Sequence, residues 1–175
     1  MSTTIDILTV VDTVSLIDAV NSGKLPKGTQ SNPTSLGSYT SSDAYIYMIT
    51  ASAYVVNDQA KSELTINADV GDSVRWMVTC PGGGTSYNVI LMGWNAGAGA
   101  TLIVPQPPLS LPLSLNLYVG SPTIAPRGIP FTNYCFQGTV VATGQIQYVL
   151  TFQVLDSSGN NLGFYDWDPF INVAN

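Results

Sequence analysis

Between Gln145 and Leu155 polar and apolar side chains alternate almost without a break. Ile146, Tyr148, Leu150, Phe152 and Val154 point one way, and Gln145, Gln147, Thr151 and Gln153 the other; Val149 and Leu155 are the exceptions on the polar face. Successive side chains of a strand point to opposite faces, so this period of two requires a strand buried on one side. At about 3.3 Å per residue the run spans roughly 36 Å. Ser73–Cys80 repeats the pattern, with Val74, Trp76, Val78 and Cys80 opposed to Arg75, Met77 and Thr79. A sheet with one apolar face must bury it against a second layer.

The rest of the chain agrees with that demand. Ile5–Val11 is short, β-branched and mostly apolar, as a central strand would be. The segment Val14–Ser22 has apolar positions at helical spacing, Thr13 to cap its start and Gly23 to close it. It is the one convincing helix. Residues 24–42 are rich in Gly, Pro, Ser, Thr and Asn and predict a long loop, of a length that is often functional or mobile. Short strands are expected at Tyr45–Thr50, Tyr54–Val56, Glu63–Asn67 and Asn88–Trp94. Pro105, Pro107, Pro108 and Pro112 cannot donate to a central ladder, so residues 101–130 predict loop and edge strand. Asp156–Asn161 marks a hairpin, Leu162–Trp167 a returning strand, Asp168-Pro169 a kink and Phe170–Val173 a last strand. The expected fold is mainly all-β: a two-sheet antiparallel β-sandwich with one short N-terminal helix. It forms a single domain over residues 1–175.

The residue inventory restricts the chemistry. There is no histidine, and Glu63 is the single glutamate. Histidine-based triads and His-ligated metal sites are therefore excluded. Charged residues make up 9% of the chain, against roughly 25% in ordinary soluble proteins. A polar but weakly charged surface repels its copies poorly and favours association. The five cations, Lys24, Lys27, Lys61, Arg75 and Arg127, form no basic patch, and net charge is −6. Nucleic acid and anionic lipid are thus excluded as partners. The N-terminus lacks a signal-like pattern and no apolar run reaches a membrane span, so a cytoplasmic protein is expected. In that compartment Cys80 and Cys135 are expected as separate buried thiols.

Several stretches resemble the PixA/AidA family of bacterial inclusion-body proteins. They are Asp6–Val20, Tyr47–Thr50, Ser62–Ala68, Gly71–Trp76, Gly138–Val140 and the closing stretch Tyr148–Val173 with its Trp167-Asp168-Pro169-Phe170. Their order and spacing carry the resemblance, which leaves out the Ser/Pro loop and residues 95–130. It implies a small cytoplasmic protein of a Gram-negative bacterium. Some relatives form intracellular inclusions, and some are induced under quorum sensing in bacteria that interact with invertebrate or plant hosts. No catalytic residues are established in the family, so none carries over. With four methionines the chain is not methionine-rich as some members are.

Three side chains stand out as ligand contacts: Trp94, Asp166 and Asp168. Trp94, beside Asn95 in a Gly/Ala-rich stretch, offers a stacking platform for a sugar, although a core or interface place is the simpler account. Asp166 and Asp168 share one side of a strand and could offer oxygens to a hard cation such as calcium. The simpler account has Asp168 bonding its own backbone in the turn before Pro169. Gly82-Gly83-Gly84 lacks the following Lys and helix of a phosphate loop and predicts a hairpin turn. The expectation is a non-enzymatic protein without cofactor that pairs with itself. Phe170–Val173 would be the exposed edge, with C-terminal aromatic residues near the contact. The alternative is a lectin-like module for a glycan or small polar ligand.

Overall fold

The computed structural model describes residues 2–82, 85–117, 125 and 127–173. In chain order the elements are strand β1 (Thr4–Val11), helix α1 (Thr13–Asn21), β2 (Thr34–Ser35), β3 (Ile46–Ile49), β4 (Val55–Asn57), β5 (Thr65–Ala68) and β6 (Ser73–Thr79). They continue with β7 (Tyr87–Ala96), β8 (Ile103–Leu117), β9 (Arg127–Val140), β10 (Gly144–Asp156), β11 (Asn161–Trp167) and β12 (Phe170–Val173). One sheet has five strands in the order β3-β1-β6-β9-β8; the other has seven, β2, β4, β5, β7 and β10–β12. The two apolar faces meet as the alternation requires. Ile5, Ile7, Val74 and Trp76 of the first sheet and Ile146, Tyr148, Leu150, Phe152 and Val154 of β10 are fully buried in one core.

The sandwich is mixed, not purely antiparallel. β1 runs parallel to β6, β2 to β11, and β5 to β12. Period two reports which face a residue takes, not the direction of its neighbour. The chain also changes sheet repeatedly, which brings distant strands together in either sense. A second correction concerns the last strand. β11 and β12 lie end to end along one edge of β10, where Leu150 faces Trp167 and Gln147 faces Phe170. Asp168-Pro169 interrupts them, and the Pro169 carbonyl still accepts from the Tyr148 amide at 3.1 Å. On its far side β12 pairs with β5, Ile171 facing Ile66. The strand expected at the edge is therefore interior.

The helix is capped one residue earlier than expected. Asp12 is the N-cap; its Oδ1 accepts from the Ser15 amide at 3.0 Å, while Thr13 is buried. Leu16 and Ile17 join the core, and Gly23 follows with φ of 77°, the left-handed region open to glycine. Arg75 faces Asp6 across β1/β6 and holds it with Nε and Nη2 at 2.6 and 2.8 Å. The proline-rich stretch is more regular than expected, since β8 is an edge strand of fifteen residues. Gly82 takes a positive φ in the turn after β6, and Gly83 and Gly84 lie outside the described residues. No described helix is long and apolar enough to cross a membrane.

Candidate functional site

The outer face of the seven-stranded sheet carries a groove of about 450 Å³. The outward side chains of β10 and β11, Val149, Thr151, Phe164 and Asp166, line it together with Met92, Gly93 and Asn95 of β7. Gln30 and Pro33, from the long loop, complete the lining. That loop is fastened to β11. Thr34 and Ser35 pair with Tyr165 and Asp166, Lys27 Nζ donates to the Asn161 carbonyl at 2.7 Å, and the Leu36 amide donates to the Asp166 carbonyl at 2.9 Å. Gly28 makes the close approach. A β-carbon there would run into the Phe164 carbonyl oxygen and the Thr34 nitrogen.

Asp166 and Asp168 come together in an adjoining hollow of about 280 Å³, with Ser35, Val149 and Trp167. Burial raises both carboxyls above their ordinary range; a hydrogen bond from Ser35 opposes this at Asp166, where the charge of Asp168 adds to it. Asp168 Oδ2 accepts from Gln147 Nε2 at 2.6 Å. Among the described residues no group of three or more Asp, Glu or Cys side chains is placed to hold a metal. Two carboxylates fall short of the six to eight oxygens that calcium takes.

Trp94 is in the core. Its ring is 8% exposed, with its centroid 5.0 Å from that of Trp76 and 6.5 Å from that of Tyr148. Its neighbours Gly93 and Asn95 line the groove, so Trp94 and Asp166 lie on opposite faces of one sheet. A surface stacking platform is thereby corrected to a packing role. The groove residues Gln30, Met92, Asn95 and Thr151 carry no sequence signal of their own. Met92, Asn95 and Thr151 meet because β7 pairs with β10, a partnership with no local signature, and Gln30 joins them through the loop fastened to β11.

Glu63 is the most buried acid among the described residues, 2% exposed. Oε1 accepts from the Tyr39 amide at 2.9 Å, while Oε2 has no hydrogen-bond partner. Burial raises its carboxyl, the Tyr39 amide lowers it, and the charges of Asp168, Asp43 and Asp58 raise it further. A carboxyl with a raised folded-state pKa binds more protons folded than unfolded. Stability therefore falls as pH climbs from its ordinary value through the raised one, and stays lower above. Glu63→Gln keeps the acceptor for Tyr39 and removes the charge. The variant is expected to melt about 2–4 °C higher at pH 7 and to show a shallower decline between pH 4 and 7. Thermal melts across that range measure both; an equal shift at every pH would rule out the buried Glu63 charge as its cause.

Cys80 and Cys135 are free and buried. Cys80 Sγ donates to the Tyr87 carbonyl at 3.1 Å, and burial raises the Cys135 thiol above its ordinary value.

The sequence matches the profile of the PixA inclusion body proteins over residues 3–173. The chain belongs to the PixA family. The crystal structure of an inclusion body protein of that family from Burkholderia cenocepacia J2315 superposes with a TM-score of 0.74 at 18% identity, covering 99% of this chain and 97% of that one. At that identity the likeness concerns the fold. Amebosin (TM-score 0.28, 16% identity, 63% of this chain and 88% of that one) and a cysteine protease inhibitor of Entamoeba histolytica (0.32, 13%, 63% and 86%) resemble it only weakly. No curated protein matches the sequence. PixA membership places the mixed two-sheet architecture in a known fold and assigns no catalytic role to the groove.

Proposed function

We propose that this protein is a non-enzymatic, self-associating PixA protein of the bacterial cytoplasm, which packs into inclusions when abundant and serves a host-interaction or quorum-linked role. One observation beyond family membership carries the self-association. Arg127 is the only charged residue between Arg75 and Asp156. This stretch supplies β7–β9 and nearly all of β10, and it exposes Ile90, Met92, Val104, Leu113, Ile129, Phe131, Tyr134 and Val141. Half the molecule thus presents apolar side chains with almost no charge to hold copies apart, a surface that favours association. Light scattering from high to low micromolar protein at moderate salt is expected to show at least a dimer that dissociates on dilution. A strictly monomeric mass throughout would overturn the reading.

The groove supports a second reading, a module for a glycan or small polar ligand. Gln30, Asn95, Thr151 and Asp166 offer hydrogen-bonding groups beside apolar Met92 and Phe164, the mixture small-molecule sites use. A glycan array and a calcium titration, each repeated with Asp166→Ala, test it. Binding lost in the variant supports this reading; no binding to the wild type removes it.

A further inference from the structure

The groove on the outer face of the seven-stranded sheet and the hollow beside it form one concavity, since Val149 and Asp166 line both. Its floor is open because residue 93 is a glycine. The nearest atoms that a β-carbon there would meet belong to the Thr151 side chain, at 3.7 and 3.8 Å, ordinary contact distances. Gly93 faces Thr151 across β7 and β10, so it leaves space above both strands. At about 450 Å³ the groove has the size of a small-molecule site.

The charge of this wall has one sign. β2, β4, β5, β7, β10, β11 and β12 hold no lysine or arginine; Asp156 and Asp166 are their only charged residues, and Asp168 follows the end of β11. The ion pairs among the described residues are Lys61 with Asp58 and Arg75 with Asp6. Lys27, on the loop that completes the groove, donates to the Asn161 carbonyl at the far end of β11. Asp166 and Asp168 therefore line the concavity with no ion-pair partner among the described residues. Gln147 engages one oxygen of Asp168, and an ionised carboxylate accepts at both. Acceptor capacity is left over for a ligand.

We propose that the concavity takes a small organic cation, a primary ammonium held at Asp166 and Asp168 with its carbon skeleton against Met92 and Val149. The proposal rests on the groove reading and names its ligand class. An ammonium brings three N–H donors and no acceptor, which complements two carboxylates and the amide oxygens of Gln30 and Asn95. A metal ion takes more oxygens than the hollow supplies. A quaternary ammonium binds on exposed aromatic faces, whereas Phe164 and Trp167 are 7% and 1% exposed. The same carboxylates repel an anion, and the net charge of −6 draws cations toward the surface. Aliphatic amines and amino sugars share this chemistry. Ion pairs open to water contribute little, so the binding is weak.

NMR titration of the isotope-labelled full chain would compare glucosamine with glucose, and pentylamine with choline, which carries the charge without an N–H. The amides of Gly93, Asn95, Thr151 and Asp166 are expected to shift, with glucosamine about 3–10-fold tighter than glucose and pentylamine at least about 3-fold tighter than choline. Asp166→Asn should bring both ratios within about 2-fold. Asp156→Asn removes the same charge about 16 Å along β10 from the Thr151 that faces Asp166, and should leave them unchanged. Gly93→Ala fills the floor without a clash and is expected to weaken every probe at least about 5-fold. Circular dichroism of each variant checks the fold, and Gly93→Ala serves if Asp166→Asn does not fold. A preference in one pair alone supports the proposal and assigns the ligand to amino sugars or to aliphatic amines. Neither ratio above about 2-fold, with every probe weakened by Gly93→Ala, would overturn the choice of a cation and leave the groove reading standing. Amine binding unchanged in Asp166→Asn and Gly93→Ala would place the amine elsewhere and overturn the proposal. No probe bound up to about 20 mM would overturn it as well, and with a silent glycan array the groove reading falls too.

Discussion

Trp76→Ala is expected to destabilise the protein by about 3–5 kcal/mol, the range for truncating a buried tryptophan. The side chain is fully buried, and its centroid lies 5.0 Å from those of Trp94 and Tyr148. It comes from β6, whereas its two aromatic neighbours come from β7 and β10, so the cluster joins the sheets. Truncation removes the middle of that contact. Domains are stable by roughly 5–15 kcal/mol, so the variant would lose a large part of its margin. Trp76→Phe should cost clearly less. The indole Nε1 has no hydrogen-bond partner, and neither do Trp94 Nε1 and the Tyr148 hydroxyl. Losing an unpartnered buried donor offsets part of the lost packing. Urea unfolding followed by circular dichroism would measure both variants. A midpoint for Trp76→Ala close to wild type would show that the aromatic cluster does not join the sheets.

The cluster also shows how far local pattern reaches. Alternation in Ser73–Cys80 and Gln145–Leu155 identifies the inward faces, and Trp76, Tyr148 and Phe152 are where those faces demand. The pairing of Arg75 with an aspartate is legible too, since a cation opposite an inward Trp needs an outward partner; Asp6 fills that place through register. Strand order is not legible. Which strand lies beside β10 depends on packing between segments some fifty residues apart, and nothing in Asn88–Trp94 names its partner. The groove is built on that pairing, so of its lining only Asp166 stands out in the sequence as a contact. Trp94 takes the core place, the simpler of its two accounts, for a related reason. Its neighbours look like a loop, yet they continue β7 to Ala96 and fix the ring inward. The length of β8 is hidden because clustered prolines suggest loop, whereas an edge strand tolerates proline.

Ile171→Asp is expected to prevent folding, a loss of more than about 4 kcal/mol. The C-terminal position of β12 invites the opposite expectation, that a polar change there would only loosen contacts between copies. Register decides between them. Ile171 faces Ile146 on β10 and Ile66 on β5, and all three are fully buried. A carboxylate at that point would lie between two ladders with no cation beside it. It would either ionise without a partner or take a proton at the expense of folding. Ile49→Asp supplies the comparison. Ile49 ends the edge strand β3 and is 41% exposed, so an aspartate there reaches water and should cost no more than about 1 kcal/mol. Soluble yield, circular dichroism and urea midpoints of the two variants would separate the cases. A folded Ile171→Asp that is merely less associated would return β12 to the edge and with it the C-terminal contact between copies. An unfolded Ile171→Asp beside a stable Ile49→Asp would fix β12 inside the sheet and exclude it as a contact between copies.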